Sequence, residues 1–216
     1  MANDSFIRLP PDSTGKRLHT RQRDVGPGTV EEQYVIPLSL RVRSGVYLSQ
    51  TGAHVVQAAA DTFPAARWFL INPVASGVLV AFRRCEFSSQ MGSVLATPTS
   101  PRINLRLFTF TGTSSGAAIT IGKVDSAFAT AVAKLVSANT GLSISGGADI
   151  FSFMPTAGAT AVGYAAPASL DWNPEEEGMP VLREGEGIAC YQPDAGTTSD
   201  TRRYITSIAW EEYTLP

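Results

Sequence analysis

Regular alternation of side chains near the C-terminus constrains the fold more than any other feature of this chain. In residues 187–192, Ile188 and Cys190 share one face of an extended strand. From residue 204 onward, apolar or small side chains recur with the period of two that a half-buried strand requires: Tyr204, Thr206, Ile208 and Trp210. The residues between, QPDAGTTSD, favour turns. This stretch therefore predicts a terminal antiparallel pair of strands that closes a sheet, with Trp210 in the core.

Several earlier segments have the same character and are separated by Gly- and Pro-rich connections. INLRLFTFTGT is the clearest, because Ile103, Leu105 and Leu107 alternate strictly with polar or aromatic residues. The others are QYVIPLSL, RVRSGVYLSQ, ARWFLINP, GVLVAFRRCEFSSQMG and GADIFSFMPTA. Many short strands without a run of helices predict an all-β fold, specifically a jelly-roll-like antiparallel β-sandwich with an extended N-terminal arm.

Residues 125–138 are open to two interpretations. Asp125 or Ser126 would cap a helix that Gly141 ends, with a helical stripe of Phe128, Val132, Leu135 and Val136. The same residues, VAKLVSA in particular, also suit a strand. We favour the strand because the surrounding segments are β and because small residues pack well on a pleated surface.

The chain divides into an extended arm, residues 1–30, and a β-sandwich domain, residues 31–216. The arm is polar and punctuated by Pro and Gly, so it buries too little apolar surface to fold alone. It is either a solvated tail or, as we favour, a segment ordered on a neighbouring subunit. Its candidate partner-binding residues are three apolar anchors and a basic cluster: Phe6, Ile7, Arg8, Leu9, Lys16, Arg17, Arg21 and Arg23.

The overall charge indicates which classes of partner the protein is expected to bind. Charged residues make up 17% of the chain and the net charge is −2, whereas soluble domains carry roughly 25% charged residues. Low charge indicates a surface that a protein partner covers, and the balance of signs argues against nucleic acid or an anionic membrane as the partner. No signal-peptide pattern and no apolar run of transmembrane length is present, which predicts use in a cytoplasm or in a particle assembled there.

Residues suited to catalysis or metal binding are few, and they do not occur in the combinations that such sites require. His19 and His54 have no companion at metal-ligand spacing and are expected to be exposed. Cys85 and Cys190 lie in apolar runs and are expected to be buried free thiols, although a disulfide needs only that their Cα atoms lie close enough. The sequence therefore predicts no enzyme, no cofactor and no metal.

Two weaker alternatives involve the acidic loop around Trp172. Residues 175–177 would supply paired carboxylates for glycoside hydrolysis, but the side chains of consecutive residues point in different directions. Oxygen ligands at alternating positions would suit calcium, with Asp171, Asn173 and Glu175 as the ligands. Neither matches the spacing of a known site.

The order of several motifs resembles a group of uncharacterised jelly-roll proteins encoded among the structural genes of tailed bacteriophages. The motifs are RWFLINP, VLVAFRRCEFSS, GKVDSAFATAVAKL and PVLREGEGIACYQPDAGTTSDTRRYITSIAWEEY, and the opening FIRLPPDSTGKRLHTRQ is similar to the N-termini of phage virion components. The resemblance implies a virion structural protein, most specifically a capsid decoration (cement) protein that binds the major capsid protein or other virion subunits. It also implies a homo-oligomer, commonly a trimer. The weakly charged stretch from Gly112 to Leu170 would form the subunit contacts, or would be ordinary loops and core strands.

Two other functions remain open. The protein would otherwise be a neck, tail or baseplate component of the virion. In a different class, it would be a glycan-binding module for host attachment, with Trp172 and Tyr164 stacking on sugar rings.

Overall fold

The structure is a computed structural model of the 216-residue chain. It describes residues 4–8, 17–24, 29–34, 43–61, 63, 66–91, 101–137, 141–154, 163–164, 168–171, 180–196 and 202–214. The chain forms two compact units, Met1–Arg41 and Val42–Pro216.

The N-terminal unit contains a three-stranded antiparallel sheet in the order β1-β2-β3. Its strands are β1 (Asp4–Arg8), β2 (Arg17–Asp24) and β3 (Thr29–Tyr34). The predicted strand QYVIPLSL overlaps the end of β3, and its remainder lies outside the described residues. Attachment of residues 1–30 to a neighbouring subunit stays a prediction.

The second unit is built from two antiparallel sheets packed face to face. The five-stranded sheet has the order β10-β6-β15-β8-β11. Its strands are β6 (Trp68–Asn72), β8 (Ile103–Gly112), β10 (Lys134–Val136), β11 (Leu142–Phe153) and β15 (Glu186–Tyr191).

The eight-stranded sheet has a central path β12-β7-β16-β4-β9. Its strands are β4 (Arg43–Gln50), β7 (Val78–Met91), β9 (Gly122–Lys123), β12 (Gly163–Tyr164) and β16 (Arg203–Thr214). Three shorter strands complete it: β13 (Ala168–Asp171) and β14 (Val181–Leu182) pair with β7, and β5 (His54–Val55) pairs with β16.

The strand pairs are nested, which is the pattern of a jelly roll. The first long strand of the unit, β4, pairs with the last, β16, and β6 pairs with β15. Inside these, β7 pairs with β13 and β14, and β8 pairs with β11. A long antiparallel hairpin folded over into two sheets gives this arrangement, so the predicted all-β, jelly-roll-like sandwich is confirmed. The described residues contain no helix, and hence none long and apolar enough to span a membrane.

The prediction that the last two strands pair with each other is wrong. β15 belongs to the five-stranded sheet and β16 to the eight-stranded sheet, so the two strands are not neighbours. Alternation identifies the buried face of a strand but does not identify its neighbour. Residues 125–138 adopt the strand only in part, because β10 covers three residues and residues 125–133 are irregular.

The main core lies between the sheets and contains the side chains that the C-terminal alternation predicted to be buried. Ile188 and Cys190 of β15 face Tyr204, Ile208 and Trp210 of β16, and all five are at most 2% exposed. The face of β6 that carries Trp68 and Leu70 packs in the same core.

A second apolar cluster covers the opposite, outer face of the five-stranded sheet. It is formed by alternate residues of the same strands, together with Phe63 and Ala66: Phe69, Ile71, Phe108, Phe110, Val136, Leu142, Ile144, Ala189 and Tyr191. Because β6 packs on both faces, all five of its residues are buried. The outer face of the five-stranded sheet is therefore apolar and largely buried where this cluster lies.

Candidate functional site

The predicted partner-binding residues are divided between two strands of the N-terminal unit. Phe6, Ile7 and Arg8 lie in β1, whereas Leu9 and Lys16 lie outside the described residues. The remaining three, Arg17, Arg21 and Arg23, lie in β2.

The register of this sheet places like and opposite charges across from one another. Arg8 stands opposite Arg17, a pairing of like charges. Arg21 stands opposite Asp4 on one side and opposite Glu32 on the other. The register therefore places Arg8 and Arg17 at directly paired positions of β1 and β2.

The weakly charged stretch predicted to form subunit contacts contains a long segment, residues 113–133, that begins and ends at the five-stranded sheet. It leaves β8, pairs with β4 of the eight-stranded sheet through β9, and returns to the five-stranded sheet at β10. Its backbone is held by side chains of β4: the Ser49 hydroxyl donates to the Thr120 carbonyl at 2.6 Å, and the Tyr47 hydroxyl donates to the Ala129 carbonyl at 3.1 Å. The segment is mostly exposed but is fixed to the sandwich.

A buried carboxylate anchors the end of this segment. Glu212 is 1% exposed, and its carboxylate accepts hydrogen bonds from the backbone N–H groups of Val132 at 3.0 Å and Ala133 at 2.9 Å. The indole N–H of Trp210 lies 3.3 Å from the same carboxylate. Burial, and then the nearby Glu212 charge, raise the pKa of Tyr47, whose ring stacks on Trp210. The burial of Glu212 is not evident from the sequence, because a charged residue near the end of a strand usually faces solvent.

The preceding residue, Glu211, makes a separate group of contacts. Its carboxylate lies 3.2 Å from Arg43 Nη1 and 3.6 Å from Arg83 Nη1, and it accepts a hydrogen bond from the Tyr213 hydroxyl. Burial, followed by this bond to Glu211, raises the pKa of Tyr213 to about 12. The phenol is therefore not an acid–base group at neutral pH.

The charges within the 113–133 segment are satisfied by its own backbone. Lys123 Nζ donates to the carbonyls of Ser126 at 3.2 Å and Phe128 at 2.9 Å. The Asp125 carboxylate accepts from the N–H of Ala127 at 2.8 Å. The apolar side chain of Val124, by contrast, is 57% exposed. A fixed backbone with locally paired charges and an exposed valine is a surface suited to another protein.

A shallow groove of about 560 Å³ adjoins this segment on the outer face of the eight-stranded sheet. Its floor is the central strand β16, where Ser207 and Ala209 are small. Its walls are larger side chains of the neighbouring strands: Leu48 and Gln50 of β4, Arg84 and Glu86 of β7. We refer to Leu48, Val124 and this groove together as the β4-side surface.

A polar network lies at the outer face of the five-stranded sheet. The Asp149 carboxylate accepts from the Tyr191 hydroxyl at 2.9 Å and from Asn104 Nδ2 at 2.8 Å. Arg106 lies 3.8 Å from Asp149, and its guanidinium stands over the Phe63 ring at 4.9 Å. Since these groups bind one another, the network fastens β8, β11 and β15 together.

The two cysteines are buried and unbonded, as the sequence predicted. Burial raises the pKa of both thiols, so neither Cys85 nor Cys190 is a thiolate at neutral pH. The prediction that His54 is exposed is wrong, because β5 pairs with β16 and places the imidazole against the Tyr204 ring, with 5.5 Å between ring centroids.

The residues proposed for glycan binding, calcium binding or glycoside hydrolysis lie mainly outside the described residues. Trp172, Asn173 and the acidic residues 175–177 lie there, whereas Asp171 ends β13 and Tyr164 ends β12. Within the part of the chain that is described, no group of three or more His, Cys, Asp or Glu side chains is arranged to hold a metal ion. The glycan and calcium hypotheses stay predictions.

Comparisons with protein-family models, with curated proteins and with solved structures find no significant match to this chain. Its function therefore has to be inferred from the sequence and from the geometry above.

Proposed function

We propose that this protein is a structural subunit of a bacteriophage virion, most specifically a capsid decoration protein that binds between capsomers. The proposal starts from the resemblance of the sequence motifs to phage structural proteins. The observation that carries it is the division of the chain into a jelly roll and a separate N-terminal unit that contains the basic and apolar candidate residues.

Each unit has a part in this proposal. The jelly roll is a scaffold fixed by two apolar clusters. The N-terminal unit would supply the attachment, since apolar anchors and a basic cluster suit an acidic protein surface. The β4-side surface would form the contact between copies, because it combines low charge with exposed apolar side chains.

Attachment is tested by deleting residues 1–41, which removes the N-terminal unit at the observed boundary. We expect the shortened protein to keep the thermal transition of the jelly roll but to lose binding to purified capsids in a sedimentation assay. The full chain with Val74→Glu is a matched control, because Val74 lies on a turn of the jelly roll and is 63% exposed. Undiminished binding by the shortened protein would refute the role of the N-terminal unit.

Subunit contact is tested with Val124→Glu, measured by light scattering after size-exclusion chromatography. A buried, unpaired carboxylate at an interface is strongly unfavourable, so we expect the oligomer to dissociate at least tenfold more readily. Val74→Glu again serves as the control, because it introduces the same charge at an exposed valine elsewhere. Equal behaviour of the two variants would exclude the β4-side surface as the contact.

A position at the neck, tail or baseplate is the second candidate, since a separate N-terminal unit suits attachment to a collar as well as to a shell. The copy number per virion distinguishes this position from decoration of the head. Hundreds of copies per particle, measured by quantitative mass spectrometry of purified virions, would support decoration of the head, and a dozen or fewer would support the tail.

A further inference from the structure

Residues 52–61, which we call the strap, close one end of the sandwich. The strap includes β5, whose residues His54 and Val55 pair with Tyr204 and Arg203 at the start of β16. Beyond β5, the N–H of Val56 donates to the Arg202 carbonyl at 3.0 Å. The strap therefore lies along the end of the eight-stranded sheet as a short addition to β16, with the Val56 side chain in the main core.

The other edge of the strap is held from the five-stranded sheet through Gln192. The Gln57 N–H donates to Gln192 Oε1 at 3.0 Å, and Gln192 Nε2 donates back to the Gln57 carbonyl at 2.8 Å. Further along, the Asp61 N–H donates to the Gln192 carbonyl at 2.7 Å. Because Gln192 follows β15, the strap links the two sheets.

One ion pair completes this attachment. The Asp61 carboxylate accepts from Arg67 Nε at 2.8 Å, and Arg67 Nη2 lies 2.8 Å from its second oxygen. The Gln192 N–H also donates to Asp61 at 2.8 Å. The single charge of Arg67 is thus matched by the single charge of Asp61.

His54 lies at the centre of this arrangement. Its ring packs against Tyr204, and its Nε2 atom is buried without a hydrogen-bond partner. The charged and titratable groups near it are Arg67 ahead of β6, Asp61 of the strap, which pairs with Arg67, and Tyr204 with its neighbour Cys190 of β15. Two further arginines lie where β16 meets the strap, because the Arg202 carbonyl accepts from Val56 and Arg203 stands opposite Val55. Burial keeps Tyr204 and Cys190 neutral by raising the pKa of each. A proton on His54 would add a second positive charge near Arg67, whose carboxylate partner among the described residues is Asp61.

We propose that the strap is an acid-sensitive latch, in which protonation of His54 releases residues 52–61 from the end of the sandwich. Release would uncover Tyr204 and the buried Cys190 thiol while leaving the two sheets paired. The latch does not depend on the virion role proposed above.

The direction of the pH effect follows from the histidine. Burial, and then the charge of Arg67, lower the pKa of His54 to about 4 from its ordinary 6.5. The released strap therefore binds the proton more readily than the closed strap does, and closure is lost as pH falls from about 6.5 towards 4. If the whole pKa difference between the open and closed strap acts on the opening equilibrium, the equilibrium constant for opening is about 30-fold larger at pH 5 than at high pH. Partial exposure of the ring reduces this increase to about tenfold.

Amide hydrogen exchange read by NMR tests the latch on the full-length protein. The reporters are the strap N–H groups of Val56, Gln57 and Asp61. After correction for intrinsic exchange rates, we expect their protection to fall about tenfold between pH 6.5 and pH 5. The reference amides are those of Phe82, which donates to Pro180, and Phe110, which donates to Gly185, and their protection should not change.

His54→Gln is the decisive variant, because it keeps a polar side chain that does not titrate. Its strap amides should show no fall in protection over the same pH range. An equal fall in the variant would overturn the proposal and would assign the acid response to another group such as Asp61.

Carbon-13 labelling of the two histidines gives a second measurement that needs no folded variant. The midpoint of the His54 titration in the wild-type protein should match the midpoint of strap opening within one pH unit. Titration of His54 without a change in the strap amides would overturn the latch.

Discussion

Replacement of Glu212 by alanine gives the most direct test of how the irregular 113–133 segment is held. The carboxylate accepts two backbone N–H groups, those of Val132 and Ala133, within 3.0 Å, and it contacts the Trp210 indole at 3.3 Å. Alanine would leave these donors without their acceptor in a region where Ala133 and Trp210 are at most 1% exposed.

The loss of unfolding free energy in Glu212→Ala follows from the number of hydrogen-bond donors left without an acceptor. A buried donor left unpaired costs about 1–3 kcal/mol. The two short backbone bonds count fully and the longer indole contact counts less, so Glu212→Ala should destabilise the protein by about 3–5 kcal/mol. Glu212→Gln keeps one acceptor oxygen but turns an NH₂ group towards the same donors, and we expect a loss of about 2–4 kcal/mol.

Urea unfolding at pH 7, followed by tryptophan fluorescence, measures this loss as a change in midpoint at constant slope. The amides of Val132 and Ala133 should also exchange faster in both variants. The matched control is Glu86→Ala, because Glu86 forms a partly exposed ion pair with Arg84 and should contribute less than about 1 kcal/mol. A loss in Glu212→Ala no larger than that of the control would show that the carboxylate does not anchor the segment.

Three further outcomes follow from the core. Trp210→Ala should lower stability by about 3–5 kcal/mol in thermal unfolding, because a fully buried ring is removed, and unchanged stability would place Trp210 outside the core. Gly187→Ala would put a Cβ atom 2.5 Å from the Phe108 ring and 2.9 Å from the Leu70 carbonyl oxygen, and it should cost about 1–3 kcal/mol in urea unfolding. Cys85 and Cys190 should resist an aromatic disulfide reagent at pH 8 in the folded protein and react after denaturation, whereas rapid labelling of the native state would contradict their burial.

The sequence predicted the strands and most of the core, because the period of two records which face of a strand is buried. Ile188 and Trp210 were identified in this way, and both are fully buried. It did not predict that β15 and β16 belong to different sheets, since pairing depends on residues that are distant in sequence.

The burial of His54 and of Glu212 was not predicted from the sequence for the same physical reason. His54 and Glu212 are polar residues whose burial is decided by contacts with Tyr204 and with the 113–133 segment, far away along the chain. The outer apolar cluster was also missed, because β8 alternates between two apolar faces and a sandwich strand ordinarily has one wet face.

Nested pairing determines when the jelly roll is able to form. Gln50 of β4 stands opposite Ser207 of β16, and Leu70 of β6 stands opposite Ile188 of β15. Contacts between residues so distant in sequence require large loops to close before they gain any stability, which slows folding. On the ribosome, β4 and β6 emerge well before their partners are synthesised, so the complete sandwich forms only after β16 has been synthesised. Until then the apolar strands are exposed to aggregation, and any shortening of β16 would leave the first strand of the sandwich without its neighbour.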